Sequence, residues 1–158
     1  MEEKLVSILL ENRMIITTVE SCTGGLIASK IVNVSGASNV LKEGFITYAN
    51  SAKEIYAGVL KDTLDKYGAV SKEVALEMAQ GVAEKTGADV AISVTGIAGP
   101  DGGTKEKPVG LVYIGCYVKG ETYYEECRFT GDRLTIRQNS ADEAIRFAIE
   151  LISKQCNK

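Results

Sequence analysis

The stretch Glu20-Ser21-Cys22-Thr23-Gly24-Gly25 combines a hydroxyl, a thiol and two glycines, and could carry nucleophilic chemistry. A β-branched apolar run precedes it over residues 14–19, and a helical pattern follows over residues 26–34. Ser21 is therefore expected where a strand hands over to a helix, with free backbone N–H groups nearby to favour negative charge. The simpler alternative makes Ser21 an ordinary helix cap beside glycines that ease a tight turn. The chain has no histidine, so a proton near neutral pH must be moved by a lysine, a carboxylate or a tyrosine.

Lys53 is the preferred base. It lies five residues after Tyr48, where a second short strand over residues 44–48 gives way to a helix. If the first two strands are neighbours, Ser21 and Lys53 emerge at one edge of the sheet. An amine acts as a base only when partly neutral, and burial or a nearby cation such as Arg133 or Arg137 would lower its reference pKa of ~10.4. Tyr48 is expected to donate a hydrogen bond or relay a proton. Cys22 is the rival nucleophile, since a thiol at a helix N-terminus needs less help from a base. Its alternative is a small, inward-facing residue.

Two further segments suit an anion. The run Thr95-Gly96-Ile97-Ala98-Gly99-Pro100-Asp101-Gly102-Gly103 holds four glycines in nine residues, after an apolar stretch at residues 89–94 that reads as a strand covered on both faces. Such a loop can present several N–H groups, although it lacks the Gly-Lys-Ser/Thr of a nucleotide-binding P-loop. Arg133 and Arg137, spaced i and i+4 at the start of the last helix, offer guanidinium forks suited to phosphate.

The elements that must position these groups alternate early and pair late. A short amphipathic helix carries Leu5, Ile8 and Leu9, and Asn50 or Ser51 is expected to cap the helix that holds Lys53. Ser71 caps a long helix running to Lys85, with Val74, Met78 and Val82 on one face. Residues 111–118 and 121–129 read as a hairpin turning at Lys119-Gly120, and Asp132 caps the terminal helix. This order predicts an α/β/α sandwich with a mixed sheet and helices on both faces, built as one domain over residues 1–158.

Composition narrows the function. A formal net charge of −3 and the absence of a long basic run argue against a general nucleic-acid binder. Four scattered cysteines with no C-x-x-C pair and no histidine argue against a structural metal, so no metal and no cofactor are expected. No apolar run spans a bilayer and the N-terminus lacks a signal-peptide pattern, which predicts a cytoplasmic protein with free thiols and no membrane partner. Edge pairing of a small sheet ending in a hairpin predicts a homo-oligomer.

Several of these segments recur together in one family. Glu20-Ser-Cys-Thr-Gly-Gly25, Tyr48-x-Asn50-x-x-Lys53, Gly68-Ala-Val-Ser71, Thr95–Gly103, Lys107-Pro-Val-Gly110 and Gly131-Asp-Arg-x-x-Ile-Arg137 stand in this order over nearly the whole chain. They resemble the C-terminal domain family of the competence/damage-inducible protein CinA, which includes stand-alone nicotinamide-nucleotide amidases. Residues 34–38 lack the proline often seen there, Glu43-Gly44 replaces a glycine pair, and larger relatives carry an additional N-terminal nucleotide-processing domain. The resemblance implies metal-independent hydrolysis of nicotinamide mononucleotide to nicotinate mononucleotide and ammonia by a serine with a lysine. Ser21, Lys53 and Tyr48 match the catalytic positions. Glu20, Thr23, Gly24, Asn50, Thr95, Gly96, Ala98, Gly99, Lys107, Arg133 and Arg137 form the expected substrate-binding set. The oxyanion donors are expected near Thr23-Gly24 or in the 95–99 loop. Two other readings stay open: a non-catalytic pyridine-nucleotide sensor, and a thiol enzyme using Cys22.

Overall fold

Pairing of β1 (Ile16–Glu20) in parallel with both of its neighbours sets the layout of the chain, whose computed structural model describes residues 1–157. The sheet has five strands in the order β2-β1-β3-β4-β5, with β2 (Leu41–Ile46), β3 (Val90–Gly96), β4 (Leu111–Val118) and β5 (Glu121–Arg128). β2, β1 and β3 are parallel, while β4 and β5 run antiparallel as a hairpin. The hairpin turns at Lys119 and Gly120, both at positive φ. Parallel strands end together, so the loops after β1, β2 and β3 share one edge of the sheet, where open α/β sheets bind ligands.

Helices cover both faces, as the alternation predicts. On one side, α1 (Glu2–Glu11), α2 (Leu26–Val32) and α6 (Arg133–Cys156) place Leu5, Leu9, Ile27, Ile31 and Ile145 against Ile16, Val90, Ile92 and Val94. On the other, α3 (Asn50–Ala57), α4 (Lys61–Tyr67) and α5 (Lys72–Thr86) place Ala57, Leu64, Val74, Met78 and Val82 against Val19 and Ala91. Each large aliphatic side chain so removed from water contributes about 1.5–3 kcal/mol before ordering costs. β3 is buried on both faces, which explains its continuous apolar reading. Close approach at Gly81 joins α3 to α5: a Cβ there would meet the Ala57 carbonyl oxygen at 1.7 Å.

Local capping follows the sequence in part. Ser71 Oγ accepts from the Val74 N–H and Asp132 Oδ1 from the Thr135 N–H, both as expected. Asn50 and Ser51 do not cap α3: Asn50 is its first residue, Ala49 stands at the N-cap, and no side chain bonds there. Ser21 does not cap α2, which begins five residues later behind Gly25 at φ 101°. The expected second strand lies earlier, and Tyr48 falls beyond its end. α4 carries no strong periodic signal and was not expected. No helix among the described residues is long and apolar enough to cross a membrane.

Candidate active site

Ser21 continues β1 by one more ladder bond, its N–H donating to the Val94 carbonyl at 3.0 Å. The chain then turns sharply: the Gly24 N–H returns to the Ser21 carbonyl at 3.1 Å, and Gly24 and Gly25 hold φ of 60° and 101°. A side chain at Gly24 would be strained by that φ and would lie 3.3 Å from an Arg137 nitrogen. The Glu20 carboxylate fixes the turn from beneath. It is buried and accepts from Thr23 Oγ1 at 2.7 Å and from the Ile27 and Ala28 N–H groups at 2.9 and 3.1 Å. Glu20 thus performs the capping first assigned to Ser21, and the hydroxyl is left for other contacts.

Lys53 meets that hydroxyl. Its Nζ donates to Ser21 Oγ at 3.1 Å, to the Thr47 carbonyl at 2.9 Å and to the Tyr48 carbonyl at 3.4 Å. Lys53 is only 1 % exposed and makes no ion pair among the described residues. Burial pushes its ammonium below the ordinary lysine pKa, the neighbouring Cys22 opposing slightly. The lowering comes from burial rather than from Arg133 or Arg137. A neutral amine in this geometry has two N–H donors for the two carbonyls and one lone pair for the Ser21 hydroxyl. The proton can therefore pass between Ser21 and Lys53 without disturbing the other two contacts.

These groups line a cavity of about 280 Å³ together with Tyr48, Asn50, Thr95, Gly96, Ala98, Gly99 and Arg133. Arg133 donates to the Gly99 carbonyl at 2.8 Å and to Tyr48 Oη at 3.0 Å, tying α6 to the glycine loop and to the exposed Tyr48 ring. Guanidinium N–H groups remain for a ligand. Thr95 Oγ1 is spent on the Ala69 carbonyl at 2.8 Å. The N–H groups of Cys22, Ala98 and Gly99, all on lining residues, donate to no backbone carbonyl among the described residues.

The remaining expected binding residues lie outside the cavity. Arg137 donates to the Cys22 and Thr23 carbonyls, each at 3.0 Å, and braces the turn. Lys107 donates to the Tyr67 carbonyl at 2.5 Å and lines a different cavity. Glu20, Thr23 and Gly24 shape the turn without lining the pocket. Cys22 lines it, but burial pushes its thiol up to about 11, so almost no thiolate exists near neutral pH. Ala69, Val70 and Asp101 also line the cavity and had no assigned role. The motif Gly68-Ala-Val-Ser71 was the available signal for the first two.

Comparison with known proteins places this chain in a family. The CinA C-terminal domain model matches residues 1–152. A putative competence-damage inducible protein of Clostridium novyi (strain NT) is 55% identical over 155 residues, covering 98% of this chain and 37% of the relative. A CinA-like protein of Kosmotoga olearia is 54% identical over 147 residues, covering 93% and 36%. The chain thus spans little more than a third of the length of these curated relatives. Among solved structures, a competence/damage inducible protein, CihA, from Agrobacterium tumefaciens has TM-score 0.89 at 40% identity, covering 95% of this chain and 94% of that one. A CinA superfamily protein from Klebsiella pneumoniae 700603 has TM-score 0.93 at 29% identity, covering 97% and 96%. The chain belongs to the CinA C-terminal domain family.

Proposed function

We propose that this protein hydrolyses the carboxamide of nicotinamide mononucleotide to nicotinate mononucleotide and ammonia. The contact that carries this reading is the 3.1 Å hydrogen bond between the buried Lys53 amine and Ser21 Oγ, at the wall of a cavity. Neutral Lys53 takes the Ser21 proton as Oγ attacks the amide carbon. The N–H groups of Cys22 and of the 98–99 loop hold the oxyanion, each worth ~10²–10³ in rate. Lys53 then protonates the departing nitrogen, the C–N bond breaks and ammonia leaves. Water, deprotonated by Lys53, cleaves the acyl-enzyme and restores Ser21. Tyr48 orients Arg133, whose free N–H groups bind the phosphate. That remote anchor positions the reacting carbonyl, which makes free nicotinamide a poor substrate.

Ammonia release from the mononucleotide, assayed with and without a chelator, tests this directly. We expect release in both cases. Saturable nucleotide binding with no release would favour a sensor, and loss of release on chelation would indicate a metal. Cys22→Ala is expected to retain near-normal turnover, because the thiol is held protonated. A silent Cys22→Ala variant with intact nucleotide binding would move the nucleophile to sulfur.

The two arginines should separate by kinetics. Arg133→Ala removes charged donors at the cavity and is expected to raise KM about 10–100-fold, the equivalent of a lost charged hydrogen bond. Arg137→Ala removes two bonds to the turn instead, and is expected to destabilise the fold by about 1–3 kcal/mol with KM little changed. Steady-state kinetics and denaturant midpoints measured on both variants check this split. The reverse pattern would return the phosphate to Arg137.

A further inference from the structure

A second cavity, of about 390 Å³, adjoins the first through their common lining residue Val70. Three tyrosines line it, Tyr67 from α4, Tyr113 from β4 and Tyr124 from β5, together with two lysines, Lys72 from α5 and Lys107 from the loop before β4. The segment between α4 and α5 forms the partition. The Ala69 carbonyl is held from the active-site side by Thr95, and the Tyr67 carbonyl by Lys107. Nothing in the amidase mechanism uses this space.

Its chemistry is specific. Lys72 Nζ lies 5.6 Å from the centre of the Tyr124 ring, so cation and aromatic face already share one wall. Tyr113 Oη donates to Glu126 at 2.6 Å, which commits that carboxylate and fixes the ring. Lys107 uses one of its three N–H donors on Tyr67 and keeps the others. Glu73 makes no ion pair among the described residues and is free to accept from an amine. Tyrosine rings beside two cations and one acceptor fit a planar, amino-bearing base carrying a phosphate.

We propose that this cavity is a separate binding site for a purine nucleoside monophosphate. The base stacks on Tyr124 and Tyr67 with its exocyclic amine toward Glu73, and the phosphate lies between Lys72 and Lys107. The proposal does not depend on the amidase reading, and its test reads binding rather than ammonia.

Calorimetric titration of the intact chain with AMP, adenosine and inorganic phosphate tests it. AMP is expected to bind at one site, tighter than either adenosine or phosphate, and saturating nicotinamide mononucleotide is expected to leave that binding in place. Lys72→Ala and Tyr124→Ala should each weaken AMP about tenfold or more, the scale of one charged contact or one stacked ring. Tyr124→Phe, which keeps the ring, should bind as the parent does, and thermal melts confirm that each variant is folded. The proposal is overturned if AMP shows no binding up to about 5 mM, a level at which even weak specific sites register. Displacement of AMP by the mononucleotide would assign it to the active pocket, and equal affinity for phosphate alone would reduce the site to an anion contact. Either result also overturns it.

Discussion

Ser21→Ala should lose ammonia release from nicotinamide mononucleotide by at least about 10⁴-fold, the scale on which a covalent nucleophile acts as a unit with its base. The expectation follows from placement. The Ser21 hydroxyl is freed from helix capping by Glu20, faces the Lys53 amine and stands at the cavity wall. Removing one oxygen deletes the bond-forming atom and leaves Arg133, Tyr48 and the glycine loop in place. Nucleotide affinity should therefore survive, and so should the fold, because the turn is held by Glu20, Gly24 and Arg137. Direct binding and ammonia assays on the same preparation separate these effects. A Ser21→Ala variant that turns over at the parental rate ends the serine mechanism.

Lys53→Met should be nearly as damaging to turnover. We expect kcat to fall about 10²–10⁴-fold, the usual worth of a positioned general base, with KM little changed. Methionine matches the stem in length and removes a buried charge, although the Thr47 and Tyr48 carbonyls lose their donor. The pH dependence is diagnostic. Burial holds the folded ammonium below its ordinary 10.5, whereas the unfolded chain keeps that proton until ~10.4. Between the folded and unfolded values the unfolded state binds more protons, so parental stability rises with pH through that window. Below the window both states are protonated, and the buried charge weighs fully on the fold. Activity should rise with pH around the folded value, the lower edge of that window, as the amine becomes neutral. Both the alkaline rise in kcat/KM and the alkaline gain in stability should vanish in Lys53→Met. If the variant keeps the parental pH–rate profile and turnover, another group is the base.

Much of the framework around this site is legible in the residues alone. The strand–turn at Ser21, the helix bearing Lys53, the glycine loop after an apolar strand and the α6 start at Asp132 all appear where residue types and periodicity place them. These are local signals, fixed by chain stiffness, burial period and turn chemistry. Glu20 is expected in the substrate-binding set, yet its carboxylate accepts from N–H groups seven and eight residues later, in the first turn of α2, a contact that no local pattern reveals. The position of Arg137 depends on packing in the same way. Spacing puts it on the helix face of Arg133, but only packing of α6 against the turn decides that its donors reach the Cys22 and Thr23 carbonyls. Ala69 and Val70 stand in the motif Gly68-Ala-Val-Ser71, but their small apolar side chains taken alone do not distinguish them from core.

The sequence by itself determined which chemistry is available: a hydroxyl at the end of an apolar strand and an amine in the helix after the next strand, without an imidazole, in the ordered motifs of the CinA C-terminal domain family. Tertiary structure decided everything that depends on groups meeting across the chain. Parallel pairing of β1 with β2 brings residues 21 and 53 within hydrogen-bonding distance, and the packing around Lys53 excludes water and lowers its affinity for a proton. Proximity and desolvation belong to the folded core as a whole, and no local run of residues encodes either one.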